Sequence, residues 1–469
     1  MTILQIGILA LLAVLIGRIR RAREHVLLAV SVFAMYWLQP HQPFVSLVFW
    51  LPTSMLGLTV LAWLFVTPAE MRTWRLNATA TITMLAVMLL LDLNQFVQLE
   101  KIYITATPRL WMIGLAMAAY LILVCSLPVF WKGREFPLAA MMVGIIMLLV
   151  YVKSPHLLKI TLDSIYTLRD QEPATRSYIF SWLGFSYVAF RLLHTIRDHQ
   201  VGRLPSLSLG EYVNYVIFFP SFTAGPIERA ERFIQDLRSP LALLDQDWIE
   251  AGKRFFLGLF KKFVVADALY FISINDVLVD QVSSPAWLWF FLYMYSLRIY
   301  FDFSGYTDMA IGLARVMGIR LPENFAAPYF KPNLAQFWNS WHMSLTEWFR
   351  AYFFNPLTRA LRVRDVPVAA VILITQISTM ILIGLWHGIT WNFFLWGLWH
   401  GAGLYIQNRW SDFIRDYAGN IPPGNSQKLM ATIGIFITFN FVSLGWLFFT
   451  LSTPAMAWMA FTKLLGGEL

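Results

Sequence analysis

The sequence predicts an all-α polytopic membrane protein, on three observations. Of its 469 residues 58% are hydrophobic and 13% charged, against about 25% charged in a soluble domain. Apolar runs recur from one end of the chain to the other. The basic residues behind the net charge of +9 fall in short loops between those runs, where they set membrane topology. They are not gathered into a nucleic-acid-binding face, so no nucleic-acid partner is expected.

The first run, residues 2–17, has no basic residue ahead of it and is followed by Arg18-Ile-Arg-Arg-Ala-Arg23. A cleavable signal has the opposite charge order, so this run reads as an uncleaved anchor with the N-terminus outside and the arginines in the cytoplasm. Further runs occupy residues 26–38, 44–66, 78–95, 110–130, 137–152, 178–193, 212–224, 255–274, 286–303, 306–317, 367–386, 389–407, 430–450 and 456–465. A span needs about 20 residues, so several runs are too short to cross alone. The expectation is about 10 to 12 transmembrane helices plus re-entrant or interfacial pieces. No linker is long enough for a soluble domain and no repeat is evident, so residues 1–469 read as one helical unit. The single cysteine, Cys125, excludes an internal disulfide and a cysteine metal cage, and reads as a core thiol.

Pro220-Ser-Phe-Thr-Ala-Gly-Pro226-Ile-Glu-Arg229 interrupts an apolar run with two prolines and a glycine. Such backbone at membrane depth needs protein or a water-filled cavity to satisfy it. The residues alone leave a cavity lining and a span end both open. Residues 228–262, the most charged stretch, read as a cytoplasmic loop.

The polar chemistry gathers in residues 300–410. Three of the eight histidines lie there, and no Asp, Glu, Lys or Arg occurs from Val366 to Asn408. A titratable ring in such a run needs a partner or a purpose. A helical reading between Pro332 and Pro356 places Trp338, Trp341, Leu345, Trp348 and Tyr352 on one stripe, with His342, Thr346 and Arg350 beside it. That piece is expected to lie at the interface or dip in as a re-entrant helix. His342 then faces either headgroups or a polar cavity.

Gly384-Leu-Trp-His387-Gly is nearly repeated as Gly397-Leu-Trp-His400-Gly. Thirteen residues at about 100° each leave the two rings roughly 220° apart on one continuous helix. They cannot serve one centre unless the chain breaks, and Gly388 is the expected break. Spacing favours one catalytic and one structural histidine, with His387 the first to test. Asp302 and Asp308 flank Phe303-Ser-Gly-Tyr, and Arg298 stands four residues before Asp302. An Arg298–Asp302 ion pair packed in the bundle is the expected arrangement. No metal is expected, because no histidine pair has helical ligand spacing.

Several motifs taken together resemble the membrane-bound O-acyltransferase family, most closely a bacterial branch that acylates cell-surface polymers. They are Gly184-Phe-Ser-Tyr187, Phe218-Phe-Pro-Ser-Phe-Thr-Ala-Gly-Pro-Ile-Glu-Arg229, Asp302-Phe-Ser-Gly-Tyr-Thr-Asp-Met-Ala-Ile-Gly312, Pro322-Glu-Asn-Phe325, Phe337-Trp-Asn-Ser-Trp-His-Met-Ser-Leu345 and Gly384-Leu-Trp-His-Gly388. The resemblance implies a conical helical bundle around a central tunnel. It divides the chain into variable N-terminal helices (1–170), a catalytic core (178–410) and C-terminal helices (411–469). It implies a thioester donor from the cytoplasm, acetyl-CoA or an acyl-carrier protein, acting as co-substrate with no permanently bound cofactor. The acceptor would be an extracytoplasmic hydroxyl, on a polysaccharide or a partner protein, and the location a bacterial inner membrane. His387 takes the family's catalytic position and His342 its second functional position. Asp302, Asp308, Ser344, Trp386, Asn392 and Pro226 are tunnel candidates. Asn339 and Ser340 depart from the basic residues usual in alginate-type relatives.

The chemistry agrees with the residues. A hydroxyl attacks a thioester poorly until a base takes its proton, and a neutral imidazole is the usual base. The nascent oxyanion needs donors, for which the Trp386 or Trp391 indole and the Asn392 amide are nearest in sequence. A Ser or Thr nucleophile stays open. Two other classes compete. A proton-coupled transporter would relay protons through intramembrane His and Asp, and normally shows two matching halves. A non-catalytic export scaffold leaves the two histidine motifs unexplained.

Overall fold

The computed structural model describes residues 2–19, 21–40, 42, 47–91, 109–130, 136–168, 181–240, 243–418 and 425–467. Helices account for nearly all regular structure: α1 (Ile3–Arg18), α2 (Arg23–Trp37), α3 (Leu47–Val66), α4 (Trp74–Leu90), α5 (Leu110–Phe130), α6 (Phe136–Lys153), α7 (Pro155–Leu168), α8 (Phe185–Gln200), α9 (Leu209–Val216), α10 (Ala230–Arg238), α11 (Asp245–Phe260), α12 (Asp267–Tyr270), α13 (Asp276–Gln281), α14 (Pro285–Val316), α15 (Leu334–Trp338), α16 (Met343–Phe349), α17 (Asn355–Arg362), α18 (Val368–His387), α19 (Trp391–Ala418), α20 (Asn425–Thr450) and α21 (Pro454–Leu464). Among the described residues β-structure is limited to one isolated bridge, Phe325 to Trp341. The all-α class expected from the sequence is the observed one. Helices α3 and α18 and residues 428–450 of α20 are long and apolar enough to cross a membrane, and the pair α6–α7, bent by 80°, would make a fourth span. Of the other apolar runs, residues 286–303 and 306–317 lie in the 32-residue α14, residues 389–407 in the 28-residue α19, and several more in shorter helices. The side chain of Cys125 lies outside the described residues.

Two compact units emerge. One comprises Met1–Val152, His156–Phe255 and Ala310–Leu321; the other Lys153–Pro155, Phe256–Met309 and Pro322–Leu469.

In the first unit, α1 opens on a capping box between Thr2 and Gln5, and α9 on another between Ser208 and Glu211. Each box satisfies orphan amides at a helix start. Glu211 also accepts two bonds from Arg238, at 2.6 and 2.9 Å. After α9 the chain turns irregularly through residues 217–229 while staying largely buried. Side chains supply the missing hydrogen bonds. Buried Arg191 donates to the carbonyls of Tyr215 (3.2 Å) and Val216 (2.9 Å) and to Ser221 Oγ (2.6 Å). Tyr215 donates to the Glu228 carbonyl at 2.9 Å and shares a hydrogen bond with His194 Nε2. Irregular buried backbone is held by protein here, as the membrane argument requires, and Pro226 sits within it.

Two expectations change along the middle of the chain. Residues 286–303 and 306–317 do not form separate runs: α14 is one helix of 32 residues. Ser304-Gly305 does not break it, because Gly305 lies against Gly258 at a helix crossing, where a Cβ would meet the Gly258 carbonyl at 2.8 Å. Nor are residues 228–262 a loop. They fold into α10 and α11, followed by a π-helical turn at Lys261–Ala266.

The centre of the second unit is the hairpin of α18 and α19. A Cβ on Gly384 would stand 2.2 Å from the Phe393 carbonyl oxygen, and one on Gly397 would stand 2.5 Å from the Met380 carbonyl oxygen. The first glycines of the two motif copies therefore face each other's helix at backbone contact, the small-residue packing usual where helices meet in apolar surroundings. Helix α20 covers the hairpin, tied by Trp399 Nε1 to the Phe441 carbonyl (3.0 Å), and the Asn392 amide holds the Leu451 carbonyl just beyond it (2.6 Å).

Gly397→Ala is accordingly expected to destabilise the purified protein by about 1–3 kcal/mol through overpacking. Gly57→Ala, where nothing lies within 4 Å of the new Cβ, is expected to melt like the parent. Thermal unfolding of both in detergent checks the contrast.

Candidate active site

His387 is the last residue of α18, and Gly388 follows in extended backbone before α19 starts at Trp391. The break expected at Gly388 is present. The Ile389 amide donates to the Lys153 carbonyl at 2.9 Å and closes the turn. Four aromatic rings surround the half-buried imidazole: Trp386 (4.6 Å between centroids), Phe449 (4.8 Å), Trp396 (5.7 Å) and Phe393 (5.8 Å). Among the described residues nothing hydrogen-bonds to its ring nitrogens.

His342 is placed differently from the helical expectation. Residues 332–356 are not one helix: α15 ends at Trp338, and α16 starts only at Met343. His342 is the N-cap between them, at φ +46°, a left-handed conformation that helices do not continue through. The stripe from Trp338 to Tyr352 is therefore split. Its anchor is Asn324, whose backbone carbonyl accepts from the Met343 amide (3.0 Å) and whose Oδ1 accepts from both the Ser344 amide (3.1 Å) and Ser344 Oγ (2.6 Å). Asn324 falls inside a sequence motif, but sequence reasoning gave it no role. The His342 imidazole packs edge-on to Phe303 (4.6 Å) and lies 6.3 Å from Trp386. Neither of its nitrogens has a partner among the described residues, and burial pushes its pKa down to about 3. It is neutral at any physiological pH.

His400 sits in mid-helix on α19, fully buried. Trp396 (4.9 Å), Trp338 (5.2 Å) and Phe441 (5.8 Å) enclose it. Trp396 thus touches both motif histidines from opposite sides of the duplication, while only His387 stands at a chain break. Trp386 is the ring shared by His387 and His342.

The carboxylates are otherwise engaged. Asp308 pairs with Lys261 at 2.6 Å and Asp302 with Lys262. The Arg298–Asp302 pair expected from spacing is not formed. Arg298 stacks instead on Tyr270, 4.5 Å from the ring centre. The π-helical turn brings two consecutive lysines against α14, and sequence spacing gave no sign of it. Ser344 is committed to Asn324, and one N–H of the Asn392 amide to the Leu451 carbonyl. Trp391 is largely exposed, at 72%. No group of three metal-ligating side chains occurs among the described residues.

Residues 159–453 match the family described as MBOAT, membrane-bound O-acyltransferase family. The chain is 34% identical over 291 residues to the teichoic acid D-alanyltransferase of Streptococcus thermophilus, covering 58% of this chain and 69% of that protein. It is 32% identical over 311 residues to the probable alginate O-acetylase AlgI of Azotobacter vinelandii, covering 65% and 58% respectively. Against the peptidoglycan O-acetyltransferase of Helicobacter pylori it is 36% identical over 243 residues, covering 51% and 43%. The chain thus spans little more than half of the alginate O-acetylase and under half of the peptidoglycan enzyme.

The Lys261–Asp308 pair yields a stability test. Lys261→Met removes the ammonium from a largely buried carboxylate and is expected to destabilise by about 3–5 kcal/mol, whereas Lys261→Met combined with Asp308→Leu is expected to recover most of that loss. Melting of the two variants beside the parent measures it, and equal melting of the single variant and the parent would make the pair dispensable.

Proposed function

Because this chain belongs to the membrane-bound O-acyltransferase family, we propose that it transfers an acyl group, most simply acetyl, from a cytoplasmic thioester to an extracytoplasmic hydroxyl with His387 as general base. The donor is acetyl-CoA or an acyl-carrier protein. The acceptor is a cell-surface polysaccharide or a relay protein that passes the group on. The chain sits in a bacterial plasma membrane with its N-terminus outside, and a tunnel joins donor and acceptor.

One observation carries the reading. His387 ends an apolar helix at a break, half-buried among aromatic rings and without a hydrogen bond to its nitrogens among the described residues. A base needs a nitrogen free to accept, within reach of the proton it takes. The acceptor oxygen attacks the thioester carbon as its proton passes to His387. The tetrahedral intermediate then expels the thiolate, which takes the proton back. No acyl-enzyme is required. His342, kept neutral by burial and fixed by Asn324, supports the site from across Trp386 as a hydrogen-bonding group. The relatives named for D-alanyl and acetyl transfer to cell-envelope polymers support this choice of acceptor. A proton relay loses its motive, since Asp302 and Asp308 are paired to lysines and the nitrogens of His342 and His400 have no partner among the described residues.

Transfer of labelled acetyl from acetyl-CoA, measured with the purified chain and its membrane acceptors, tests the reading. His387→Ala and His387→Gln are expected to lose about 10²–10⁴ in rate while staying folded. His342→Ala is expected to fall strongly, and His400→Ala to lose stability with only part of the rate. Robust turnover by His387→Ala would end this mechanism, and a dead His400 variant beside an active His387 variant would move the base to the other copy.

A further inference from the structure

A lysine stands beside the proposed base, and neither spacing nor motif pointed to it. Lys153 ends α6, ahead of the region that matches the family. Its carbonyl accepts from the Ile389 amide at 2.9 Å, which fixes it two residues beyond His387. Its ammonium lies 5.6 Å from the centre of the Trp386 ring, the ring shared by both candidate histidines. The side chain is only half exposed, and no carboxylate pairs with it among the described residues. By contrast Lys261 and Lys262, in the same unit, each hold an aspartate.

A partly buried ammonium without a counter-charge is unfavourable, and a contact with one indole face offsets little of that. A transient negative charge would offset more. Acyl transfer from a thioester makes one: as the C–O bond forms, the carbonyl π electrons move onto oxygen, and they return when the C–S bond breaks. Of the donors nearest in sequence, the Asn392 amide already gives one hydrogen bond to Leu451 and Trp391 faces outward.

We propose that Lys153 is a catalytic residue that donates a hydrogen bond to the thioester oxyanion while His387 holds the proton. No covalent change occurs at the lysine. The inference rests on the reading of His387 given above.

The test compares Lys153→Met, Lys153→Arg and His387→Ala in the full-length protein with labelled acetyl-CoA, recording kcat, KM for acetyl-CoA and the melting temperature. Lys153→Met is expected to lower kcat by about 10²-fold, the usual loss of one oxyanion donor. Its KM should stay within about twofold and its melting temperature should match or exceed the parent's, since an unpaired charge has been removed. Lys153→Arg, which keeps the charge, should retain more than about a tenth of the parent kcat. Parent-like kcat in Lys153→Met overturns the proposal. A rise in KM alone does so too, because it makes the lysine a ground-state donor contact. A Lys153→Met chain that no longer melts cooperatively makes the lysine a structural cation and likewise overturns the proposal. If His387→Ala stays active, the underlying reading fails. If His387→Ala is dead and Lys153→Met is fully active, only the role of the lysine fails.

Discussion

Backbone contact between α18 and α19 is the constraint from which the second unit follows. Without side chains at Gly384 and Gly397 the two helices close until Cβ atoms would collide with carbonyl oxygens. The contact begins within four residues of His387 and so fixes where α18 must end. It also turns α19 so that Trp396 faces inward and meets both His387 and His400. A duplicated Gly-Leu-Trp-His-Gly motif suggests duplicated chemistry. In the structure the duplication serves packing first: each copy lends the other helix its glycine, and only the copy at the chain break leaves its imidazole half open.

Hydrogen bonds sort the remaining polar groups. In apolar surroundings a polar group is held by protein or is costly, and most here are held. Arg191, Tyr215 and His194 satisfy the turn after α9. Asn324 organises the chain around His342, and two lysines neutralise two aspartates on α14. Groups committed in this way have little left to offer a substrate. That separates Asp302, Asp308 and Ser344 from His387 more sharply than their positions in motifs do.

How much of this was legible depended on the range of the interaction. The all-α class came from composition, and the break at Gly388 from span length and a single glycine, both local signals. The helical stripe from Trp338 to Tyr352 failed because the left-handed turn at His342 is held by Asn324, eighteen residues upstream and outside any local period. The Arg298–Asp302 pair failed for a related reason. Helical spacing permits it, but a π-helical turn forty residues away presents Lys262 to Asp302, and an aromatic face takes the arginine. Lys153 was invisible because its ties to the site, the main-chain bond to Ile389 and the contact with Trp386, reach across more than two hundred residues. Where a contact partner lies far along the chain, periodicity has nothing to report.

Tight packing and unmet polar groups come together at Trp386. It touches the rings of His387 and His342, and the ammonium of Lys153 lies over it. Around this one indole stand two imidazoles and a cation that the protein leaves without polar partners among the described residues. A permanent carboxylate would stabilise the lysine at rest but would compete with an oxyanion for it. Acyl transfer to a hydroxyl asks for a base that is free before reaction and a positive charge that is unmatched until the carbonyl accepts electrons. Leaving these groups unsatisfied at rest is therefore compatible with the chemistry.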